Sequence, residues 1–234
     1  MAKTPVPRDA VARFLADVRA SDPPAQTDAE PNRILFALDA TASREPTWDM
    51  AMNLHAELFH AAADHRADGD SGDVAVQLVY YRGFDEFHAS PWSNSPQDLV
   101  RRMTGVLCRG GLTQIQRVLA HTLAEARTVR VKAAVFVGDA CEESRAEVVA
   151  AAGRLALFKV PFFLFQEGHD PRVARLFQDI ARITGGAYAP FATGSADQLR
   201  ALFGAVARYA TRGRSGLREI EHRLARDMLA QLPR

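Results

Sequence analysis

Apolar positions along the chain fall into short unbroken runs, separated by longer stretches in which they recur every three or four residues. The run Ile34-Leu35-Phe36-Ala37-Leu38 shows no alternation and is bounded by Arg33 and Asp39. A strand covered on both faces reads this way. Residues 47–66 set Trp48, Met52, His55, Leu58, Phe59 and Ala62 at helical spacing. A second strand is predicted over 74–81, and Arg82-Gly83-Phe84-Asp85 is short enough to fold it into a hairpin with 86–90 at the sheet edge. A short helix over 96–103 and a loop over 105–112, carrying the pair Gly110-Gly111, precede a helix over 114–127. Strands over 132–137, 159–166 and 186–190 then alternate with helices over 142–155, 172–183 and 196–209.

That order predicts an α/β fold: a doubly wound, Rossmann-like sheet, mostly parallel with one antiparallel edge strand, and helices on both faces. In such sheets the ligand crevice lies beyond the C-terminal ends of the strands, where the strand order reverses. The main domain is expected over 33–210. Before it, 1–32 reads as a helix over 8–20 and a proline-rich linker. After it, 211–234 spaces Leu217, Ile220, Leu224 and Met228 as an amphipathic helix, either docked on the domain or offered to a partner. Glu219, Glu221 and Asp227 dilute the arginines of this tail and argue against membrane attachment.

Composition narrows the partners. With 234 residues, 47% apolar and 24% charged, the chain has the balance of a globular protein with a sizeable core. A net charge of +1 supplies no global field for nucleic acid or an anionic membrane. No apolar segment stands at 1–9, and the stretch 155–165 is too short to span a bilayer and carries Lys159. A cytoplasmic location without membrane insertion is the expectation. Cys108 and Cys141 form no CxxC pair, and the seven histidines form no metal signature.

Chemistry concentrates at Asp39-Ala40-Thr41-Ala42-Ser43, directly after the first strand. In an extended loop, residues i, i+2 and i+4 can turn their oxygens towards one point, as a hard divalent cation requires. Turn and cap chemistry is the competing reading of the same residue types. One carboxylate and two hydroxyls leave a shell incomplete. Thr113, after the Gly110-Gly111 turn, and Asp139, directly after a buried strand, lie where the fold would bring further oxygens to the same rim.

At these residues the sequence resembles the von Willebrand factor type A domain, whose metal-ion-dependent adhesion site combines Asp-x-Ser-x-Ser, a later Thr and an Asp after the fourth strand. Asp39-x-Thr41-x-Ser43 departs from the first part only in a Thr that keeps the hydroxyl; Thr113 and Asp139 match the rest. The resemblance covers roughly residues 33–210. It implies that Thr41 and Ser43 hold Mg²⁺ (or Mn²⁺) directly, and Thr113 directly or through water. Asp39 and Asp139 would orient hydroxyls and bound waters. It implies a non-catalytic module, with an open coordination position for an Asp or Glu carboxylate of a protein partner. For cytosolic bacterial relatives it implies a place beside AAA-type ATPases. Ala140 stands where many members have Gly, and the nearby Glu142 and Glu143 are candidate partner-facing residues.

Two enzyme classes compete. Haloacid dehalogenase-like phosphotransferases also place an Asp after the first strand, but their second acid, two residues on, is here Thr41, so the proton shuttle is missing. No GxGxxG follows the first strand and no GxxxxGK[ST] loop occurs in the chain. An inactive site on the same fold is the remaining alternative.

Overall fold

The computed structural model describes residues 30–54, 74–218, 220 and 222–233. The helix expected over 8–20, most of the linker and the second half of the helix expected over 47–66 lie outside the described residues. The elements are β1 (Asn32–Asp39), a 3-10 turn (Ala42–Arg44), α1 (Glu45–Leu54), β2 (Val74–Arg82), β3 (Glu86–Ala89), α2 (Pro96–Met103), α3 (Ile115–Thr128) and β4 (Val131–Gly138). They continue with α4 (Arg145–Ala156), β5 (Phe162–Glu167), α5 (Pro171–Thr184), β6 (Tyr188–Phe191), α6 (Ala196–Arg218) and α7 (Arg223–Gln231).

The strands form one six-stranded sheet in the order β3-β2-β1-β4-β5-β6. β3 is antiparallel to β2 and every other pairing is parallel. This is the predicted doubly wound sheet with one antiparallel edge strand. β1 is central, with β2 on one side and β4 on the other, so the order reverses at its C-terminal end. Asp39, Arg82, Gly138 and Glu167 end their strands along that rim.

Period-two alternation explains the two cores. Ile34, Phe36 and Leu38 face one side, where they meet α6 and α7 through Phe203, Val206 and Met228. Leu35 and Ala37 face the other, towards Ile115, Val118 and Phe177 of α3 and α5. Edge-to-face aromatic pairs stand on both sides, Phe36 on Phe203 at 4.9 Å and Phe136 on Phe177 at 5.6 Å.

The tail differs from the single helix expected over 211–234. α6 runs through residue 210 as far as Arg218, with a break at Gly213, whose φ of 60° and ψ of −144° are not helical. A new helix, α7, then begins after His222, whose ring nitrogen Nδ1 accepts from the Leu224 N–H at 3.2 Å. Leu217, Ala225, Met228 and Leu232 are buried in the same core as β1. The spacing of Leu217, Ile220, Leu224 and Met228 runs from the end of α6 into α7 because both helices pack against one surface. The starts of the helix expected over 142–155 and the strand expected over 159–166 also move inward, to Arg145 and Phe162. Backbone turns use the intervening residues, including Lys159 at a φ of 55°.

Candidate metal centre

β1 delivers the first residue of the site. Alternation turns Asp39 to the same side as Leu35 and Ala37, and the β1–β2 register sets it opposite Tyr81. The Tyr81 hydroxyl donates to Asp39 Oδ2 at 3.0 Å, and the Thr41 N–H donates to Asp39 Oδ1 at 2.8 Å. Asp39 is only 2% exposed. Burial pushes its carboxyl above the usual aspartate range, and the Thr41 and Tyr81 hydrogen bonds pull it back. Burial likewise pushes the Tyr81 phenol well up, reinforced by the Asp39 charge.

The loop then turns outward. Thr41 Oγ1 and Ser43 Oγ lie 3.4 Å apart, and the Ser43 hydroxyl donates to Asp139 Oδ2 at 3.0 Å. Asp139 follows β4, the strand beside β1, so residues 96 positions apart meet across the switch point. Thr41, Ser43 and Asp139 therefore form one row of oxygens at the rim.

Beneath the row lies Arg44, a residue that the sequence pattern did not single out. It is 1% exposed, and its Nη1 pairs with the buried carboxylate of Glu167 at the end of β5. The Thr47 hydroxyl donates to the same Glu167 oxygen. Arg44 Nε faces Asp139 Oδ1 at 4.0 Å, too far for a hydrogen bond. Among the described residues these two atoms are the buried side-chain polar atoms without a hydrogen-bond partner. Burial pulls the Arg44 guanidinium down, and the charges of Asp139 and Asp39 push it back up.

The third oxygen source is placed differently. Thr113 Oγ1 accepts from the Glu142 N–H at 3.1 Å, while Glu142 Oε2 accepts from the Thr113 N–H at 3.0 Å. This reciprocal pair ties the loop before α3 to the loop after β4, which also carries Asp139. Glu143 caps α3: its carboxylate accepts from Ile115 N–H at 2.6 Å and Gln116 N–H at 2.9 Å. A carboxylate at a helix N-terminus satisfies orphan donors and the helix dipole together. Burial pushes the Glu143 carboxyl up, and these two donors pull it back. The two glutamates expected to face a partner thus have their oxygens on the start of α3. No local pattern announces a cap that comes from 28 residues downstream.

Cys108 and Cys141 are half-buried on opposite faces of the sheet, packed against different cores. Burial pushes both thiols up to about 11, which keeps them protonated and poorly nucleophilic near neutrality. His121 contacts Gln77 Oε1 at 2.9 Å, away from the rim.

The donor set has the chemistry of a hard-cation site: two neutral hydroxyls beside one carboxylate, with a second carboxylate held behind them. Among the described residues no group of three His, Cys, Asp or Glu side chains is placed to hold a metal ion, so the hydroxyls of Thr41 and Ser43 are needed for any such site.

No known family profile matches the sequence, and no curated protein matches it. The likeness lies with solved structures. The pilus adhesin SpaC from Lactobacillus rhamnosus GG, in its open conformation, matches with a TM-score of 0.61 at 12% identity, over 81% of this chain and 31% of the adhesin. This chain thus spans about a third of that protein's length. The SpRpn10 VWA domain matches with a TM-score of 0.56 at 10% identity, over 73% of this chain and 92% of that domain. BatB from Bacteroides thetaiotaomicron matches at 0.55 and 14% identity, over 75% of this chain and 98% of that protein. The fold is that of a von Willebrand factor type A domain. No helix among the described residues is long and apolar enough to cross a membrane.

Proposed function

We propose that the chain is a metal-dependent protein-interaction module. Mg²⁺ (or Mn²⁺) would be held by the hydroxyls of Thr41 and Ser43, with Thr113, Asp39 and Asp139 as further or supporting donors. A bound divalent cation supplies an electrophilic point with an open position suited to an Asp or Glu carboxylate of a partner. The observation that carries this reading is the row of Thr41 Oγ1, Ser43 Oγ and Asp139 Oδ2 at the rim.

The chain's own residues prepare that site. Asp39 fixes the start of the loop through the Thr41 N–H, and Tyr81 holds the other Asp39 oxygen. Asp139 orients the Ser43 hydroxyl. The Thr113–Glu142 pair holds two rim loops together. Nothing in this arrangement needs a general base. It also argues against the phosphotransferase alternative, because both oxygens of the buried Asp39 are already hydrogen-bonded. An adaptor role beside an AAA-type ATPase, in the cytoplasm of a bacterium, is the setting we propose. It rests on the likeness of fold and motif.

The test is calorimetric and thermal-shift titration of the full chain with Mg²⁺ and Mn²⁺, beside an Asp39→Ala, Ser43→Ala double variant. Saturable binding is expected in the parent chain and lost in the variant. Acetate added to the magnesium-loaded chain should raise the melting temperature further. Since burial raises the Asp39 carboxyl, cation affinity should fall on acidification at a higher pH than an ordinary aspartate would dictate. Equal binding by parent and variant, or none by either, would sink the proposal.

A further inference from the structure

Among the described residues, the large apolar side chains left exposed are Phe84 at 78%, Leu107 at 67% and Leu112 at 49%. Exposed leucines scattered singly need no explanation. These three are not scattered. Phe84 stands on the turn between β2 and β3, and the two leucines stand on the loop between α2 and α3. Backbone hydrogen bonds brace the two segments against each other. The Gly83 N–H donates to Arg109 O at 3.4 Å, and the Leu112 N–H donates to Gly83 O at 3.1 Å. A Cβ built on Gly111 would lie 1.8 Å from Gly83 O, so the backbones touch and position 111 has room only for glycine. The Arg82 guanidinium adds a bond to Leu107 O at 2.8 Å.

The braced rim is joined to the candidate centre. The Arg109 N–H donates to Ala40 O at 3.1 Å, and Ala40 lies between Asp39 and Thr41. The rim also carries charge. Arg82, Arg109 and Arg117 stand against Asp85 and Glu86, three guanidiniums to two carboxylates. Glu86 is engaged by both Arg82 and Arg109, and the Arg109 side chain remains largely exposed.

We infer that this rim is the docking surface for the flank of an acidic protein segment. The segment carries an Asp or Glu aimed at the candidate centre, beside a bulky apolar residue seated on Phe84, Leu107 and Leu112. The inference rests on the reading of the loop after β1 as a cation site, and it names the kind of partner that site takes. An apolar anchor surrounded by arginines is how affinity concentrates in protein interfaces. The acid of the segment answers the cation of the candidate centre, while Glu45, Asp39 and Asp49 near Cys108 offset the arginines of the rim.

The probe is a yeast-displayed peptide library with one fixed Asp flanked by randomised positions, sorted against the full chain in Mg²⁺. Leu, Ile, Phe or Trp should be enriched beside the fixed Asp. A Phe84→Ser, Leu112→Ser variant should bind the selected clones about tenfold more weakly or worse, with an unchanged melting temperature because both side chains are exposed. Chelator, or an Asp→Asn exchange in the clone, should abolish binding. Clones that need the acid and the metal but show no apolar preference, or that bind the double-serine variant undiminished, would overturn the rim and leave the centre standing. Clones that need apolar residues but survive chelator would overturn the centre and, with it, the inference. A library without enriched clones would overturn both.

Discussion

Arg44 stands one residue beyond the last hydroxyl of the loop, yet its guanidinium is as buried as the core leucines. It neutralises Glu167 inside the protein, with Thr47 as the third member of the group. Breaking such a pair from one side strands the other charge in a medium that cannot solvate it. Arg44→Met should therefore cost about 3–5 kcal/mol of stability, read as a lowered urea midpoint. An Arg44→Met, Glu167→Gln double variant should recover most of the loss, since neither partner then carries a buried charge. If the single variant unfolds at the parental midpoint, the pair is not a buried ionic contact. The recovered double variant also isolates what Arg44 does to the rim. Its positive charge lies near Asp139, so its removal should tighten Mg²⁺ binding in the titration.

Single elements carry a different kind of information, because a loop holds its shape through another loop. Gly111 lies against the Gly83 backbone so closely that Gly111→Ala must part the two. Overpacking of this kind costs about 1–3 kcal/mol. Since the same loop leads into Thr113, the variant should lose cation affinity along with stability. A melting scan and a Mg²⁺ titration on one sample would show both, whereas Gly105→Ala would meet no atom within 4 Å and faces only its φ of 83°. What the sequence made legible was local: the unbroken apolar run of β1, the oxygens at Asp39, Thr41 and Ser43, and the hairpin at the edge. The hydrogen bonds that join Asp39, Thr41, Ser43 and Asp139 are what a β1–β4 neighbourhood makes of those positions. What remained hidden was contact between distant segments. Arg44 reads as a solvated charge until Glu167, 123 positions on, is folded against it. Glu142 and Glu143 read as free acids until α3 is placed beneath them. The interruption between Arg218 and Arg223 was masked because the apolar spacing of Leu217, Ile220, Leu224 and Met228 continues across it.

At the scale of the whole molecule, the C-terminal tail closes the sheet. β6 is an edge strand, paired on one side only, and such edges invite pairing with other chains. The Gln231 side chain of α7 takes the place of a neighbouring strand: its Oε1 accepts from the Tyr188 N–H and its Nε2 donates to Tyr188 O, each at 2.9 Å. Arg214, beyond the break in α6, binds Leu232 O at 2.5 Å and Pro233 O, fastening the last residues back onto the domain. Two substitutions on α7 should therefore fail in different ways. Met228→Ala empties a fully buried position in the core shared with β1 and should cost about 2–5 kcal/mol, seen as a lower denaturant midpoint. Gln231→Ala leaves that core intact and removes bonds that water can replace, so its midpoint should barely move. Its consequence should be intermolecular, because the Tyr188 backbone becomes free to pair with a second chain. Sedimentation velocity across a concentration series should show Gln231→Ala associating while the parent chain and Met228→Ala do not. A Gln231→Ala chain that sediments like its parent at every concentration would mean that shortness alone protects β6, and that α7 serves the core rather than the edge.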